Sequence, residues 1–303
     1  MKPSPLLVNG MLLLVAFLWG VGFVPQRLGM ETLDAMAFNA WRFGFGALSL
    51  IPVFFIMRLK FSAFKQLNTI MGGLVLGVLL CIAAGLQQIS IGMTKLANVA
   101  FITGFYVILV PVIGLFVAHR YPIITWVGGF FALIGLALLS GFTGELGLTD
   151  VGVQGDLLAL VGAVFWALHL LAITYYVARY NQFALAFYQF VFCTLISAGI
   201  SIGFEVRVIP TDNMGYVWAL VNGILVVGIA YTLQVVALKQ AKPFVAAVIF
   251  SLEAVFGALV GYWFFDEVLG LYGLVGALLM LFGCILSQLP ERDKKKAHPH
   301  AIV

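Results

Sequence analysis

The sequence predicts an all-α polytopic membrane protein with ten transmembrane helices arranged as two inverted five-helix repeats. Three observations carry this reading: the composition, a train of ten apolar runs, and a self-similarity at an offset of 147 residues. Of 303 residues, 63% are hydrophobic and 9% charged, and the mean hydropathy is +1.12. Soluble domains hold about 45–50% apolar and about 25% charged residues, so in water this chain would present an apolar surface. Sixteen Lys and Arg against twelve Asp and Glu leave a net charge of +4, scattered along the chain. That is no nucleic-acid-binding surface.

A helix needs about 20 mostly apolar residues to cross a bilayer. By that ruler the spans fall at 8–29, 34–57, 70–92, 95–118, 123–141, 155–178, 184–204, 216–238, 243–265 and 268–289. The first is longer than the apolar core of a secretory signal and is read as retained. Continuous apolar runs without alternation exclude a β-barrel, and lipid cannot satisfy open backbone, so each span is helical. An even number of spans puts both termini on one side. Twelve Lys and Arg lie on that side against three, Arg27, Lys95 and Arg207, on the other. The positive-inside rule therefore places both ends in the cytoplasm, in a cell inner membrane. The connection 58–69 is read as a basic loop rather than an interfacial helix, and the tail 290–303 as a basic cytoplasmic segment.

Offsetting the chain by 147 residues superposes Trp19 on Trp166, Ala37 on Ala184, Phe43 on Phe190, Gln87 on Gln234 and Lys95 on Lys242. With a slip of one residue, Gly128 meets Gly276 and Gly135 meets Gly283. The halves, 1–142 and 155–289, each hold five helices. Because five is odd, the second enters the membrane from the opposite face, and a pseudo-two-fold axis lies in the membrane plane. Such halves can exchange packings, which suits alternating access with a substrate site near the midplane.

The run Leu252-Glu253-Ala254-Val255-Phe256-Gly257, continuing to Gly261, Asp266-Glu267 and Gly276, resembles the second-repeat signature of the drug/metabolite transporter superfamily, EamA type. Ala16-Phe17-Leu18-Trp19-Gly20 and Gly104-Phe105-Tyr106-Val107 through Pro111 resemble its first-repeat counterparts. The resemblance spans residues 8–289 and implies a transporter of amino acids, nucleobases, sugars, cations or other metabolites, outward in the bacterial examples. The family often has Pro where this chain has Ala254, which removes the proline cause of a kink in span 9.

Charges inside spans are costly and mark function or partnership. Away from the span ends there are two, Arg42 and Glu253. Glu253 is close to the midplane, on a face with Phe250 and Gly257, and a carboxyl there would suit proton coupling. Arg42 shares a stripe with Asn39, Gly46 and Ser49, and would take a substrate carboxylate or pair with Glu253. Trp19 and Trp166, mid-membrane rather than interfacial, would line a cavity, with His169 one turn from Trp166 as a polar tip or a satisfied core histidine. Gln87 and Gln234 occupy mirrored depths; Tyr106, Tyr188, Tyr231 and Asn98 are further candidates. Cys81, Cys193 and Cys284 lie singly in apolar runs, and no metal-ligand spacing or nucleotide-binding loop occurs, so neither metal nor cofactor is expected.

The reading is a secondary transporter exporting small amphipathic metabolites, amino acids first, by alternating access; the partners are the small molecule and the bilayer. Export of lipophilic cations or lipid-like compounds is the alternative, with a non-transporting membrane enzyme or sensor behind it.

Overall fold

The computed structural model describes residues 4–59, 61–94, 96–116, 121–139, 150–265, 270–287 and 289. The 140–149 linker, Lys2, Lys60, Lys95, Arg120, Asp266, Glu267, the tail 290–303 and the side chain of Asn98 lie outside them, and with them the expectations placed there. All regular structure among the described residues is helical.

Helices α1 (Pro5–Gly29), α2 (Ala35–Ile56) and α3 (Leu67–Met93) form the first three spans. Span 4 is divided into α4 (Leu96–Thr103) and α5 (Tyr106–Phe116), and α6 (Ile123–Leu139) ends the first repeat. In the second, α7 (Asp150–Val177) and α8 (Gln182–Phe204) are continuous. Span 8 runs through α9 (Asn213–Asn222), a π-helical segment (Gly223–Tyr231) and α10 (Thr232–Leu238). Span 9 is divided into α11 (Pro243–Phe250) and α12 (Glu253–Phe265), and α13 (Leu271–Ser287) is span 10. Eight spans are long and apolar enough to cross a bilayer, and the fifth and tenth are shorter apolar helices. Seventeen residues in α6 and in α13 make about 25 Å at 1.5 Å per residue.

The packing comes in pairs related by the repeat. Spans 3 and 6 are neighbours, as are 8 and 1; spans 3 and 7, as are 8 and 2; spans 4 and 6, as are 9 and 1. Spans 2 and 7, and spans 5 and 10, pair with their own mates. Two halves related by a two-fold axis can meet only in this way. At the contact between α6 and α13, a Cβ on Gly128 would stand 2.6 Å from the carbonyl oxygen of Gly283, and one on Gly135 would come equally hard against that of Gly276. Since Gly128 and Gly276 are repeat mates, as are Gly135 and Gly283, the two contacts are one contact repeated.

The divided spans obey the same offset. In span 4 the Gly104 N–H reaches the Ala100 carbonyl, then Phe105 reaches back only to Ile102 and Val107 only to Gly104. In span 9 Ser251 reaches Ala247, Leu252 reaches Ile249 and Ala254 reaches Ser251. Each partner lies 147 residues on. The helix tightens to i→i−3 bonds at the same place in both repeats. Span 9 therefore breaks without the family's proline; the Ser251 hydroxyl, donating to the Val248 carbonyl at 2.7 Å, joins the turn instead.

The connection after α2 contains a single 3₁₀ turn, Phe61–Ala63, rather than plain loop. Phe64 is buried with its ring 4.7 Å from Phe54, and its carbonyl accepts the Tyr188 hydroxyl at 2.7 Å. Tyr188 is thus a tie between repeats.

At the opposite end, the loop after α1 and the loop after α8 clasp each other. Glu205 accepts from the N–H groups of Met36 and Ala37 at 2.7 and 2.8 Å, closing the N-terminus of α2. Asp34 accepts from the N–H groups of Val206 and Arg207 at 3.1 and 3.0 Å and pairs with the Arg207 guanidinium at 2.7 Å. The Arg207 N–H, before its side chain, holds the Asp34 carboxyl below its ordinary value of 3.8, against partial burial. A depressed carboxyl stabilises the fold above its unfolded value and loses that contribution as pH falls through the folded one.

Two outcomes follow for the purified protein in detergent. Gly135→Leu lowers Tm by the equivalent of about 1–3 kcal/mol of overpacking, whereas Gly10→Leu, where a Cβ meets nothing within 4 Å, leaves it unchanged. Asp34→Asn lowers stability at pH 7 by about 0.2–1 kcal/mol, as expected for a partly exposed pair. The gap between wild type and variant closes on acidification below pH 3.8.

Candidate functional site: a cavity at the crossing of the two repeats

Where the divided spans meet α1 and α7, side chains from both repeats line a cavity of about 30 Å³. Helix α1 directs Trp19, Phe23 and Gln26 into it from one face, at spacing i, i+4 and i+7. Its mate α7 directs Trp166 and Leu170. The breaks supply the first residues of the two following half-helices, Tyr106 of α5 and Glu253 of α12, which are themselves repeat mates. Span 8 adds Val226, Tyr231 and Gln234, and Arg42, Gln87, Thr103 and Phe250 complete the wall.

Tyr231 stands at the centre of an aromatic cluster. Its ring lies 5.0 Å from that of Trp19 and stacks on Trp166 at 6.1 Å with 10° between planes. Trp19 is also 4.9 Å from Phe250 and 6.3 Å from Trp166. Close approach of the backbones makes room for so many rings: a Cβ on Gly20 would stand 2.6 Å from the Glu253 carbonyl. The π-helical segment places Tyr231 here, and at its start a Cβ on Gly223 would stand 2.6 Å from the Arg42 carbonyl. The equivalent stretch of α3 is regular α-helix.

Of the eight residues selected from sequence, Trp19, Arg42, Gln87, Tyr106, Trp166, Gln234 and Glu253 line this one cavity. His169 does not. It is fully buried behind Trp166, with Nε2 and the Gln189 Oε1 at 3.1 Å, while its Nδ1 is buried without a partner among the described residues. Its partner Gln189 is the repeat mate of Arg42. The proposed pairing of Arg42 with Glu253 is also absent: Arg42 donates to Asn39 Oδ1 at 2.7 Å and Asn222 Oδ1 at 3.3 Å. The ion pair found among the described residues is Arg207 with Asp34.

Phe23, Gln26, Thr103, Leu170, Val226 and Asn222 were not singled out from sequence. Gln26 had a signal, a polar residue two turns from Trp19 on one face; Asn222 had none, because its partners lie on α1 and α2. Among the described residues no cluster of His, Cys, Asp and Glu has the makings of a metal site. The cavity offers aromatic faces, amides, a carboxyl and a guanidinium, which suit binding.

Two inverted repeats with their divided helices meeting at a cavity between them define a membrane transporter fold. Residues 6–141 and 153–289 each match the EamA-like transporter family, and the chain belongs to that family. An uncharacterized transporter of Archaeoglobus fulgidus is 29% identical over 279 residues, covering 92% of this chain and 84% of the relative. The uncharacterized transporter YoaV of Bacillus subtilis is 21% identical over 296 residues, covering 93% and 96%. A solved structure titled only as a crystal structure of protein superposes with a TM-score of 0.79 at 18% identity, covering 94% of this chain and 97% of that one. That likeness concerns the fold.

His169→Ala leaves the Gln189 amide oxygen buried without its partner and is expected to lower stability by about 1–3 kcal/mol. Ligand affinity stays within about twofold, below the tenfold that 1.4 kcal/mol would bring. Thermal unfolding and a binding isotherm on the same preparation check both parts.

Proposed function

We propose that this transporter exports small amphipathic metabolites, amino acids first among them, by alternating access around the midplane cavity. The observation that carries this is the meeting of repeat mates there, Trp19 with Trp166 and Tyr106 with Glu253, in a space of about 30 Å³. That volume corresponds to about two waters, so in this reading a metabolite is taken up as the halves repack and widen the cavity. Near-equivalent halves make the inward-open and outward-open packings close in free energy. The substrate-binding set is Trp19, Arg42, Gln87, Tyr106, Trp166, Gln234 and Glu253, with aromatic rings holding the apolar part and Arg42 or Glu253 reading a charged end. Proton coupling at Glu253 belongs to the same reading. So do repeats bounded at 1–142 and 155–289, and placement in the cell inner membrane with both termini cytoplasmic.

Lipophilic cations are the second reading. It is favoured by the rings of Tyr231 and Phe250, each within 5.0 Å of the Trp19 ring, on the same cavity wall as Glu253, an arrangement suited to cation–π contact.

Counterflow into proteoliposomes preloaded with unlabelled amino acids tests the choice. Labelled amino acids are expected to accumulate above protein-free liposomes, and Glu253→Gln to flatten the pH-dependence of flux. Unchanged pH-dependence in Glu253→Gln removes the coupling role. Accumulation of tetraphenylphosphonium in place of amino acids, surviving Arg42→Ala and lost in Glu253→Gln, establishes the cation reading instead.

A further inference from the structure

Arg42 is the largest fully buried side chain among the described residues, at 1% exposure, and it lies inside a membrane span. A cation in such a place ordinarily has an acidic partner. This one is held by neutral groups. Nε donates to Asn39 Oδ1 at 2.7 Å and Nη1 to Asn222 Oδ1 at 3.3 Å, while the rings of Phe43 and Phe38 lie 4.9 and 5.7 Å from Cζ. Asn222 is itself anchored, its Nδ2 donating to the Gly22 carbonyl at 3.0 Å, which turns its oxygen towards Arg42. Nη2 is buried without a hydrogen-bond partner among the described residues, and Arg42 lines the cavity.

The cavity is rich in unused donors. Besides Arg42 Nη2, the Nε1 groups of Trp19 and Trp166 and the Tyr106 hydroxyl are buried without a partner among the described residues. The amide oxygens of Gln26 and Gln234 are unpaired as well; Gln26 is fixed by its Nε2 donating to the Gly22 carbonyl at 3.2 Å, whereas the Gln234 amide can present either end. An ionised carboxylate accepts and never donates, so it matches this donor set. Aspartate has the shape of asparagine, and at position 39 or 222 it would satisfy Arg42 from within the protein. Asparagine at both positions orients the guanidinium and leaves its charge uncancelled.

We infer that Arg42 receives the carboxylate of the transported molecule, and that Asn39 and Asn222 are positioning residues that hold it oriented and without a counter-charge until the substrate supplies one. The inference rests on the cavity being the substrate site. It assigns the two ends of the ligand, anionic head at Arg42 and apolar body among the tryptophans.

Counterflow of labelled amino acids against their primary amides, which keep the ammonium and lose the anion, tests this on the wild-type protein. Amino acids are expected to accumulate at least about tenfold more than the amides, the scale of a lost charge-assisted bond. Asn222→Asp and, separately, Asn39→Asp place a carboxylate on Arg42. Each is expected to keep or raise Tm while the preference collapses to within about twofold, a fraction of the 1.4 kcal/mol behind a tenfold ratio. A merely structural Arg42 would show no change of preference in variants of undiminished Tm. Equal exchange of acids and amides by the wild type overturns the inference and leaves the transport reading standing, as does a preference retained in both Asp variants. Exchange of neither class overturns the transport reading, and this inference with it.

Discussion

Helices in a bilayer gain little by burying leucine against leucine, because the lipid is already apolar, so their cohesion depends on close approach of backbones. Glycine at the crossings is what permits it here. Gly128 and Gly135 receive the carbonyls of Gly283 and Gly276, Gly20 that of Glu253, and Gly223 that of Arg42. These crossings join one repeat to the other. The fold is therefore held along the surfaces where the two repeats meet, and the polar ties at the rim, Asp34 with Arg207 and Tyr188 with Phe64, add direction to contacts that are otherwise shape alone.

The site follows from breaking symmetry inside that frame. Both repeats tighten at the same offset, so Tyr106 and Glu253 begin half-helices that meet at the cavity. A helix start within a membrane has unsatisfied N–H groups and a partial positive charge, tolerable only where it faces a cavity or protein. The mates differ in chemistry, a phenol against a carboxyl, as Arg42 differs from Gln189. Similar packing with unlike side chains gives the cavity a chemical polarity inside a pseudo-symmetric frame. The π-helical segment belongs to the second repeat, its mate in α3 being regular α-helix, and it brings Tyr231 against both Trp19 and Trp166.

Charge inside the bundle is handled differently at its two ends of risk. At the rim, carboxylates meet backbone N–H groups and a guanidinium in partly exposed loops, where water shares the cost. In the interior, Arg42 is steadied by two amides and two aromatic faces. An internal ion pair would hold it as firmly but would leave nothing for a ligand.

Span number, helicity and the repeat were legible in the chain because they are written in hydropathy and in a single numerical offset, and both survive without knowledge of contacts. Residues such as Trp19, Trp166 and Glu253 stood out because lipid makes a polar or amphipathic side chain at mid-depth conspicuous. His169 stood out for the same reason and proved to be bonded to Gln189, since a periodicity cannot say which neighbour a helix face meets. Asn222, Gly22 and the clasp of Asp34 with Arg207 join positions more than 170 residues apart, and local sequence holds no trace of them. The chain by itself determined the ten apolar helices and their two-fold repetition, because the bilayer enforces length and apolarity residue by residue. Which side chains share the cavity, and which partner Arg42 takes, was decided only when the helices packed, because hydrogen bonds depend on distances of ångströms that no spacing along one helix can specify.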